Sequence, residues 1–156
     1  MLLYQSGNGE EVKKEISSLK SETKIMCKIV IICGTKALVL KRSRWVIYHP
    51  GRSDVPGGAA EHGEGMEDAA AREALEEIGF EVDPTKLTLL DQQSKLRDGR
   101  PAHRHCFKYE VTEEFIPKLS FEHSTYAWLE PDELGAIDLP NFYKSCIRIS
   151  LSVKQQ

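Results

Sequence analysis

The order of hydrophobic and polar positions predicts a β-rich first half. Ile25 to Cys33 is rich in β-branched residues, Gly34-Thr35 is a turn signal, and residues 37–40 are apolar again. This pattern predicts a β-hairpin. Trp45 to Tyr48 predicts a further short strand, and Val55 to Gly58 marks a break in the pattern.

A helical period follows this break. Gly65 is suited to cap the helix start, and the acidic residues just after it favour the positive end of the helix dipole. Gly79 is a natural terminator at the other end. The apolar stripe predicted for the helix consists of Ala70, Ala74 and Ile78, with Ala71 and Leu75 beside it.

The second half of the chain returns to strands. Residues 87–95 and 103–111 predict two strands joined by the Asp98-Gly99 turn, and 126–129 predicts another. Pro131 suits the first turn of a short helix. The stripe predicted for a C-terminal helix is Phe142, Cys146, Ile149 and Val153. Strands around a central helix indicate an α/β (α+β) sandwich.

The sequence divides into two segments. Residues 1–23 are polar and predict an N-terminal arm or short amphipathic helix, which is a candidate homodimer contact, and residues 24–156 predict one domain. The sequence contains no apolar run of the ~20 residues that a membrane helix needs. Its first ten residues do not resemble a secretory signal, so we expect a cytoplasmic protein.

Composition narrows the function further. The 156 residues are 40% hydrophobic and 29% charged, as in ordinary globular domains. Four cysteines without CxxC spacing predict reduced core thiols rather than a disulfide framework. The formal charge of -3 argues against nucleic acid as the partner. A small anionic ligand remains compatible with this charge.

The central helix carries an unfavourable acidic face. Glu73, Glu76 and Glu77 are spaced i, i+3 and i+4, so they share one side of the helix. Each such pair costs about 0.2–0.5 kcal/mol, and carboxylates in the last turn oppose the helix dipole. A divalent cation would remove this conflict, and Mg²⁺ prefers oxygen ligands. A solvated acidic face is the alternative, because charge runs on helices are common.

The spacing around this face resembles the Nudix box, Gly-x5-Glu-x7-Arg-Glu-U-x-Glu-Glu-x-Gly-U, where U is bulky and apolar. The match covers Gly58 to Phe80. All seven fixed positions agree, namely Gly58, Glu64, Arg72, Glu73, Glu76, Glu77 and Gly79. The one departure is Ala74, which is apolar but small. The resemblance implies a mixed β-sheet flanked by helices, with the box as a loop–helix–loop.

The resemblance also implies roles for single residues. Mg²⁺, or Mn²⁺ in its place, is expected at the carbonyl of Gly57 and at three carboxylates: Glu73, Glu76 and Glu77. Arg72 is expected to orient a box carboxylate, and Gly58, Glu64 and Gly79 are expected to support the loop and helix. The family's general base comes from a box glutamate or from a later loop.

Our candidate base outside the box is Glu122. It begins the pattern Glu-His-x-x-Tyr-x-Trp, which resembles a segment of several Nudix subfamilies. A surface glutamate is the alternative. Candidate substrate-binding residues are Arg42, Arg97, Arg100 and His103, each of which also fits a solvated turn or strand end. A zinc site at His103 and His105 is disfavoured because its ligand set is incomplete.

These features predict Mg²⁺-dependent hydrolysis of a phosphoanhydride bond. The expected substrate is a nucleoside triphosphate, or a nucleoside diphosphate linked to another group as in ADP-ribose. The alternative is a non-catalytic Nudix-fold module that senses nucleotides or binds RNA. The complete set of box carboxylates favours the enzyme. The sequence leaves open the substrate and the phosphorus that is attacked.

Overall fold

A mixed β-sheet forms the centre of the molecule. The computed structural model describes residues 23–97 and 99–152. Five strands lie in the order β3-β2-β1-β6-β5, while β4 pairs with β1 and β7 pairs with β2. The strands are β1 (Lys24–Cys33), β2 (Lys36–Arg42), β3 (Ser53–Asp54), β4 (Gly57–Ala59), β5 (Thr88–Arg97), β6 (Arg100–Val111) and β7 (His123–Leu129).

Strand β1 is the spine of this sheet. It pairs parallel with β6 and antiparallel with both β2 and β4. Residues 27–32 are all buried because helices cover both faces of the strand. A strand covered on both sides is expected to read as a continuous apolar run rather than an alternating one.

Two α-helices of the described residues pack on opposite faces of the sheet, which confirms the predicted sandwich. Helix α1 (Met66–Ile78) packs on the face that carries Ile29 and Ile31. Helix α2 (Asn141–Ser152) packs on the face that carries Val30 and Ile32. Short 3-10 helices span Pro84–Lys86 and Pro131–Ala136.

The predicted boundaries of α1 are confirmed. Gly65 caps its start through extended backbone, without a side-chain hydrogen bond. Gly79 ends it in the left-handed region at φ 65°, and its N–H donates to the carbonyl of Leu75 at 3.0 Å. Ala70, Ala74 and Ile78 are buried as predicted. A side chain at Gly79 would be strained because that backbone conformation favours glycine.

The predicted strand at residues 45–48 is wrong. This segment belongs to the loop that joins β2 to β3, closed where the Arg42 N–H donates to the carbonyl of Arg52 at 2.8 Å. Trp45 and Tyr48 are 70% and 66% exposed. Aromatic residues favour strands, which is why a strand was predicted here. The antiparallel pairing of β2 with β3 instead makes this segment the loop that connects them.

The stripe predicted for the C-terminal helix is also partly wrong. Cys146 is buried as expected, but Ile149 is 40% exposed. The other residues that face the sheet are Tyr143, Ile147, Ser150 and Leu151. Phe142 packs partly buried against the same core, so the first half of the predicted stripe is confirmed and Ile149 is the described member that lies off it. Val153 lies outside the described residues.

The remaining predictions concern the other strands, the cysteines, the N-terminal arm and membrane helices. The predicted strand pair around residues 98–99 and the strand at 126–129 are confirmed as β5–β6 and part of β7. All four cysteines are free; three are buried and Cys33 is half-buried. Residues 1–22 of the predicted arm lie outside the described residues. Within the described ranges, no helix is long and apolar enough to cross a membrane.

Candidate active site

The two glycines before α1 place the box loop directly against β1. Gly57 pairs with Lys28 and Gly58 with Cys27. A Cβ on Gly57, whose φ is 128°, would clash with the backbone of β1. A Cβ on Gly58 would lie 2.5 Å from the carboxylate carbon of Glu73. Gly57 therefore requires glycine for the loop to approach the strand this closely, whereas a Cβ at Gly58 would displace the Glu73 carboxylate.

Arg72 holds the box together from the middle of α1. Its guanidinium donates to both carboxylate oxygens of Glu64, at 2.9 and 3.1 Å, and to Glu73 at 3.0 Å. It also reaches Glu76 at 3.4 Å and the backbone carbonyl of Ala59 at 3.1 Å. Such fork-like contacts fix geometry as well as charge. Arg72 thus links the loop before the helix to its acidic face.

The three carboxylates of this face lie in different environments. The side chain of Glu76 is 59% exposed and that of Glu73 is 19% exposed. Glu77 is buried, and the Gly57 N–H donates to its carboxylate at 3.1 Å. Burial, with nearby Asp54 and Glu73, raises the pKa of Glu77 to about 8 although Lys28 opposes the shift. Burial also raises the pKa of Glu73, while Arg72 opposes that shift.

This donor set fits a hard divalent cation. Glu77 is buried with a raised pKa and forms no ion pair with a described residue, and Glu73 shares the single charge of Arg72 with two other carboxylates. Carboxylates with a backbone carbonyl are ligands that Mg²⁺ accepts. Within the described ranges, no three His, Cys, Asp or Glu side chains converge on one point as they stand. Arg72 lies among Glu64, Glu73 and Glu76 and engages all three.

A buried charge network behind the box loop was missed in the sequence. The Lys28 ammonium donates to the carbonyl of Gly57 at 2.8 Å and to that of Val55 at 3.2 Å. It also pairs with Asp54 at 3.1 Å. Burial lowers the pKa of Lys28, but the Asp54 and Glu77 charges and the Asp54 hydrogen bond together raise it by more, so the pKa lies above its usual range. Lys28 therefore fixes the carbonyl that the family resemblance assigns to the metal.

Asp54 is the hub of this network. Besides Lys28 it contacts His123, whose Nε2 lies 3.1 Å from its carboxylate, and Arg42 at 3.5 Å. Burial opposes ionisation, but Lys28 and His123 hold the pKa of Asp54 well below its usual range. A Lys in an apolar run and a lone Asp give no periodic signal, because only the pairing of distant segments brings them together.

Glu122 lies on a loop that is tied to the site from two sides. The Ser43 N–H donates to the Glu122 carbonyl at 2.8 Å, and the Ser120 N–H donates to the Glu77 carbonyl at 2.9 Å. The side chain of Glu122 is half-buried, and its charge contributes to the raised pKa of Glu73. The structure thus places Glu122 near the acidic face of α1.

The four candidate substrate-binding residues lie in three different parts of the structure. Arg42 donates from Nε to the Tyr48 carbonyl at 2.9 Å and pairs with Asp54, beside the box loop. Arg97 and Arg100 line a cleft at the end of the sheet. The His103 imidazole lies 2.7 Å from the Ser94 hydroxyl. Side chains alternate along a strand, so His103 projects from the sheet face opposite to that of its neighbours Ala102 and Arg104.

These elements define a member of the NUDIX family. The model of the NUDIX domain matches residues 27–148, so the chain belongs to this family of hydrolases. Among curated proteins, it is 28% identical over 112 residues to a Bacillus subtilis (strain 168) protein named "Putative 8-oxo-dGTP diphosphatase". That alignment covers 69% of this chain and 72% of the relative.

Solved structures agree on the fold. The MutT protein of Methanosarcina mazei Go1 superposes with a TM-score of 0.70 at 25% identity, covering 85% of this chain and 98% of that one. The Ap4A hydrolase of C. elegans, in a binary complex, gives the same TM-score and coverage at 21% identity. At that identity the likeness shows the fold alone.

Proposed function

We propose that this protein hydrolyses a phosphoanhydride bond in a nucleotide and that the reaction depends on Mg²⁺. The observation that supports the proposal most strongly is the complete box, in which Arg72 ties Glu64 and Glu73 together and Glu77 is buried against Gly57. A purely structural helix gains nothing from burying a carboxylate there, since burial of an unpaired acid is unfavourable.

We assign the metal to the carboxylates of Glu73, Glu76 and Glu77 and to the carbonyl of Gly57, with Mn²⁺ as a substitute for Mg²⁺. A bound divalent ion would neutralise charge on the phosphate oxygens and make a coordinated water more acidic. Arg72 orients Glu73 and Glu64 rather than substrate, because its donors are already engaged by the box. Lys28 donates to the Gly57 carbonyl and Glu77 accepts from the Gly57 N–H, so both backbone polar groups of Gly57 are held.

We assign the general base to Glu122. Its loop is anchored to α1 through the Ser120 N–H and to β2 through the adjacent Ser43, so its carboxylate is held near the acidic face. A base must come within hydrogen-bond reach of the attacking water. The alternative base is a box glutamate, and Glu76 is the most exposed candidate.

We infer the substrate class from what the compounds named for two similar proteins have in common. The Bacillus relative is named for an oxidised deoxynucleoside triphosphate, and the C. elegans neighbour for a dinucleoside polyphosphate. Both compounds join a nucleoside to a chain of phosphates. We therefore propose a substrate of this type, handled as a small molecule. Action in the cytoplasm and assembly as a homodimer remain predictions.

A substrate panel tests the proposal. Nucleoside triphosphates, oxidised nucleotides, ADP-ribose and dinucleoside polyphosphates are incubated with and without Mg²⁺, and the products are identified. We expect Mg²⁺-dependent turnover that falls at least 100-fold in Glu77→Gln. Glu67→Gln is the matched control, since Glu67 is exposed in the first turn of the same helix. Near wild-type turnover in Glu77→Gln at saturating Mg²⁺ would refute the assigned site.

The alternative function is a module that senses nucleotides or binds RNA without hydrolysis. The retained carboxylates argue against it, because a sensor does not need the full set. Tight nucleotide binding without product formation across the whole panel would favour the sensor over the enzyme.

A further inference from the structure

Lys28 places a buried positive charge beside the proposed metal ligands. It lies within the apolar run of β1, and its side chain is only 7% exposed. The ammonium donates to three groups, namely the carbonyls of Gly57 and Val55 and the carboxylate of Asp54. Because an ammonium has three donors, all the donors of Lys28 are engaged and its charge is held in place.

This charge acts on two of the four proposed ligands. The carbonyl that accepts from Lys28 at 2.8 Å is the Gly57 carbonyl, which we assign to the metal. A carbonyl oxygen has two lone pairs, so the ammonium occupies one and leaves the other. Burial raises the pKa of Glu77 to about 8, and Lys28 is the strongest of the influences that oppose this shift. Lys28 therefore lies where a bound cation would experience its charge.

Stability alone does not account for a lysine at this position. Replacing a buried ion pair by apolar side chains is often neutral or stabilising. The fold nevertheless keeps the ammonium charged. Burial lowers the pKa of Lys28, but the charges of Asp54 and Glu77 raise it by more. Asp54 is itself held by His123 at 3.1 Å and by Arg42 at 3.5 Å. The surroundings of Lys28 thus maintain a permanent cation next to the box loop.

A permanent cation distinguishes between two forms in which a divalent ion can arrive. The free ion adds positive charge to the site, whether or not a carboxylate releases its proton on binding, so Lys28 opposes it. A complex of one divalent ion with a nucleoside triphosphate carries net negative charge, so Lys28 favours it. At an effective dielectric constant of about 20, two unit charges about 4 Å apart change an equilibrium constant by roughly a thousandfold. The sign of the effect therefore differs between the two forms.

We propose that Lys28 makes the site select the metal–nucleotide complex over the free ion. Its ammonium weakens the binding of Mg²⁺ to the free protein and strengthens the binding of a nucleotide that already carries the ion. Lys28 is a positioning residue in this scheme, because it acts through the Gly57 carbonyl and Glu77. The inference rests on the proposed function, since it uses the metal ligands assigned there.

Direct titration with Mn²⁺ tests the first half of this inference. Free Mn²⁺ gives an electron paramagnetic resonance signal that is lost on binding, so its affinity is measured on the full chain without nucleotide or turnover. We expect Lys28→Met to bind Mn²⁺ roughly tenfold or more tightly than wild type, and Lys28→Arg, which keeps the charge, to stay within about threefold of wild type. Lys36→Met is the matched control, since the Lys36 side chain is 41% exposed and pairs with Glu114.

Calorimetry tests the second half. The probe is the non-hydrolysable, methylene-bridged analogue of the best nucleotide in the substrate panel, titrated in excess Mn²⁺. Lys28→Met should weaken the binding of this complex at least about threefold, whereas Lys28→Arg should keep most of it. General damage to the site would weaken both the free ion and the complex. Opposite signs for the two ligands therefore separate the proposed role from a structural one.

Two double variants guard against failure to fold and against binding elsewhere. Lys28→Met/Asp54→Asn removes both members of the buried pair, and it should still bind free Mn²⁺ at least about threefold more tightly, because Lys28 is the member that contacts the Gly57 carbonyl. Lys28→Met/Glu76→Gln should lose the gain in Mn²⁺ affinity if the ion binds at the box. The Glu76 side chain is 59% exposed, so this change leaves the core intact.

The possible results separate this inference from the proposed function. Mn²⁺ affinity in Lys28→Met that equals or falls below that of wild type would overturn the inference, as would a gain that survives Glu76→Gln. If wild type hydrolyses nucleotides with Mg²⁺ while either of these results is found, this inference fails alone. If neither wild type nor any variant binds Mn²⁺, with or without the analogue, the proposed metal site and this inference fail together.

Discussion

The substitution Glu77→Gln should change how the stability of the metal-free protein depends on pH. Glu77 is buried, and its pKa is raised from the ordinary 4.5 to about 8. The folded protein therefore keeps a proton that the unfolded chain releases. This contribution to stability is fully present below pH 4.5 and is lost as the pH rises through about 8.

The size of the effect follows from the interval between these pKa values. At about 1.4 kcal/mol per pH unit, the interval from 4.5 to about 8 is worth roughly 4–5 kcal/mol, on the order of half the stability of a typical domain. Glutamine has nearly the same shape, can accept the Gly57 N–H, and does not ionise. Glu77→Gln should therefore stabilise the metal-free protein increasingly from pH 5 to pH 8.5.

Urea unfolding in the presence of a chelator measures this difference. The free energies of unfolding of wild type, Glu77→Gln and the exposed control Glu67→Gln are compared across that pH range. The wild-type curve should fall away from the Glu77→Gln curve as the pH rises, and saturating Mg²⁺ should reduce the gap by stabilising the ionised form. Parallel curves for wild type and Glu77→Gln would refute the conclusion that Glu77 is a buried, protonated acid.

Three further substitutions test other parts of the site. Asp54→Asn should destabilise the protein by about 3–5 kcal/mol in thermal or urea unfolding, because it leaves the Lys28 charge buried without its partner; a loss below 1 kcal/mol would contradict the network. Gly58→Ala should lower turnover at least tenfold, since the new methyl group displaces the Glu73 carboxylate; unchanged kinetics would show that the loop can relax. Glu122→Gln should lower kcat about 10²–10⁴-fold and remove the acidic limb of the pH–rate profile; if that limb persists, Glu122 is not the base.

Local patterns in the sequence predicted the parts of the fold that depend on neighbouring residues. Helix α1 begins after Gly65 and ends before Gly79, where an extended cap and a left-handed residue are required by local geometry. The spacing of the box glutamates likewise fixes their common face. These features need only a few consecutive residues, so one sequence is sufficient to predict them.

Contacts between distant segments could not be predicted in the same way. Lys28, Asp54 and His123 come from three separate strands and meet only when the sheet forms. The strand predicted at residues 45–48 failed for a related reason. Its aromatic residues lie exposed on a loop whose path is set by the pairing of β2 with β3.

The most direct test of the central claim is the fate of water oxygen during turnover. The protein is incubated with nucleotide substrates in water enriched in heavy oxygen, with and without Mg²⁺, and the products are analysed by mass spectrometry. We predict Mg²⁺-dependent incorporation of one heavy oxygen into a phosphate group of a product. Nucleotide binding with no labelled product from any substrate, at any Mg²⁺ concentration, would contradict the assignment as a phosphoanhydride hydrolase.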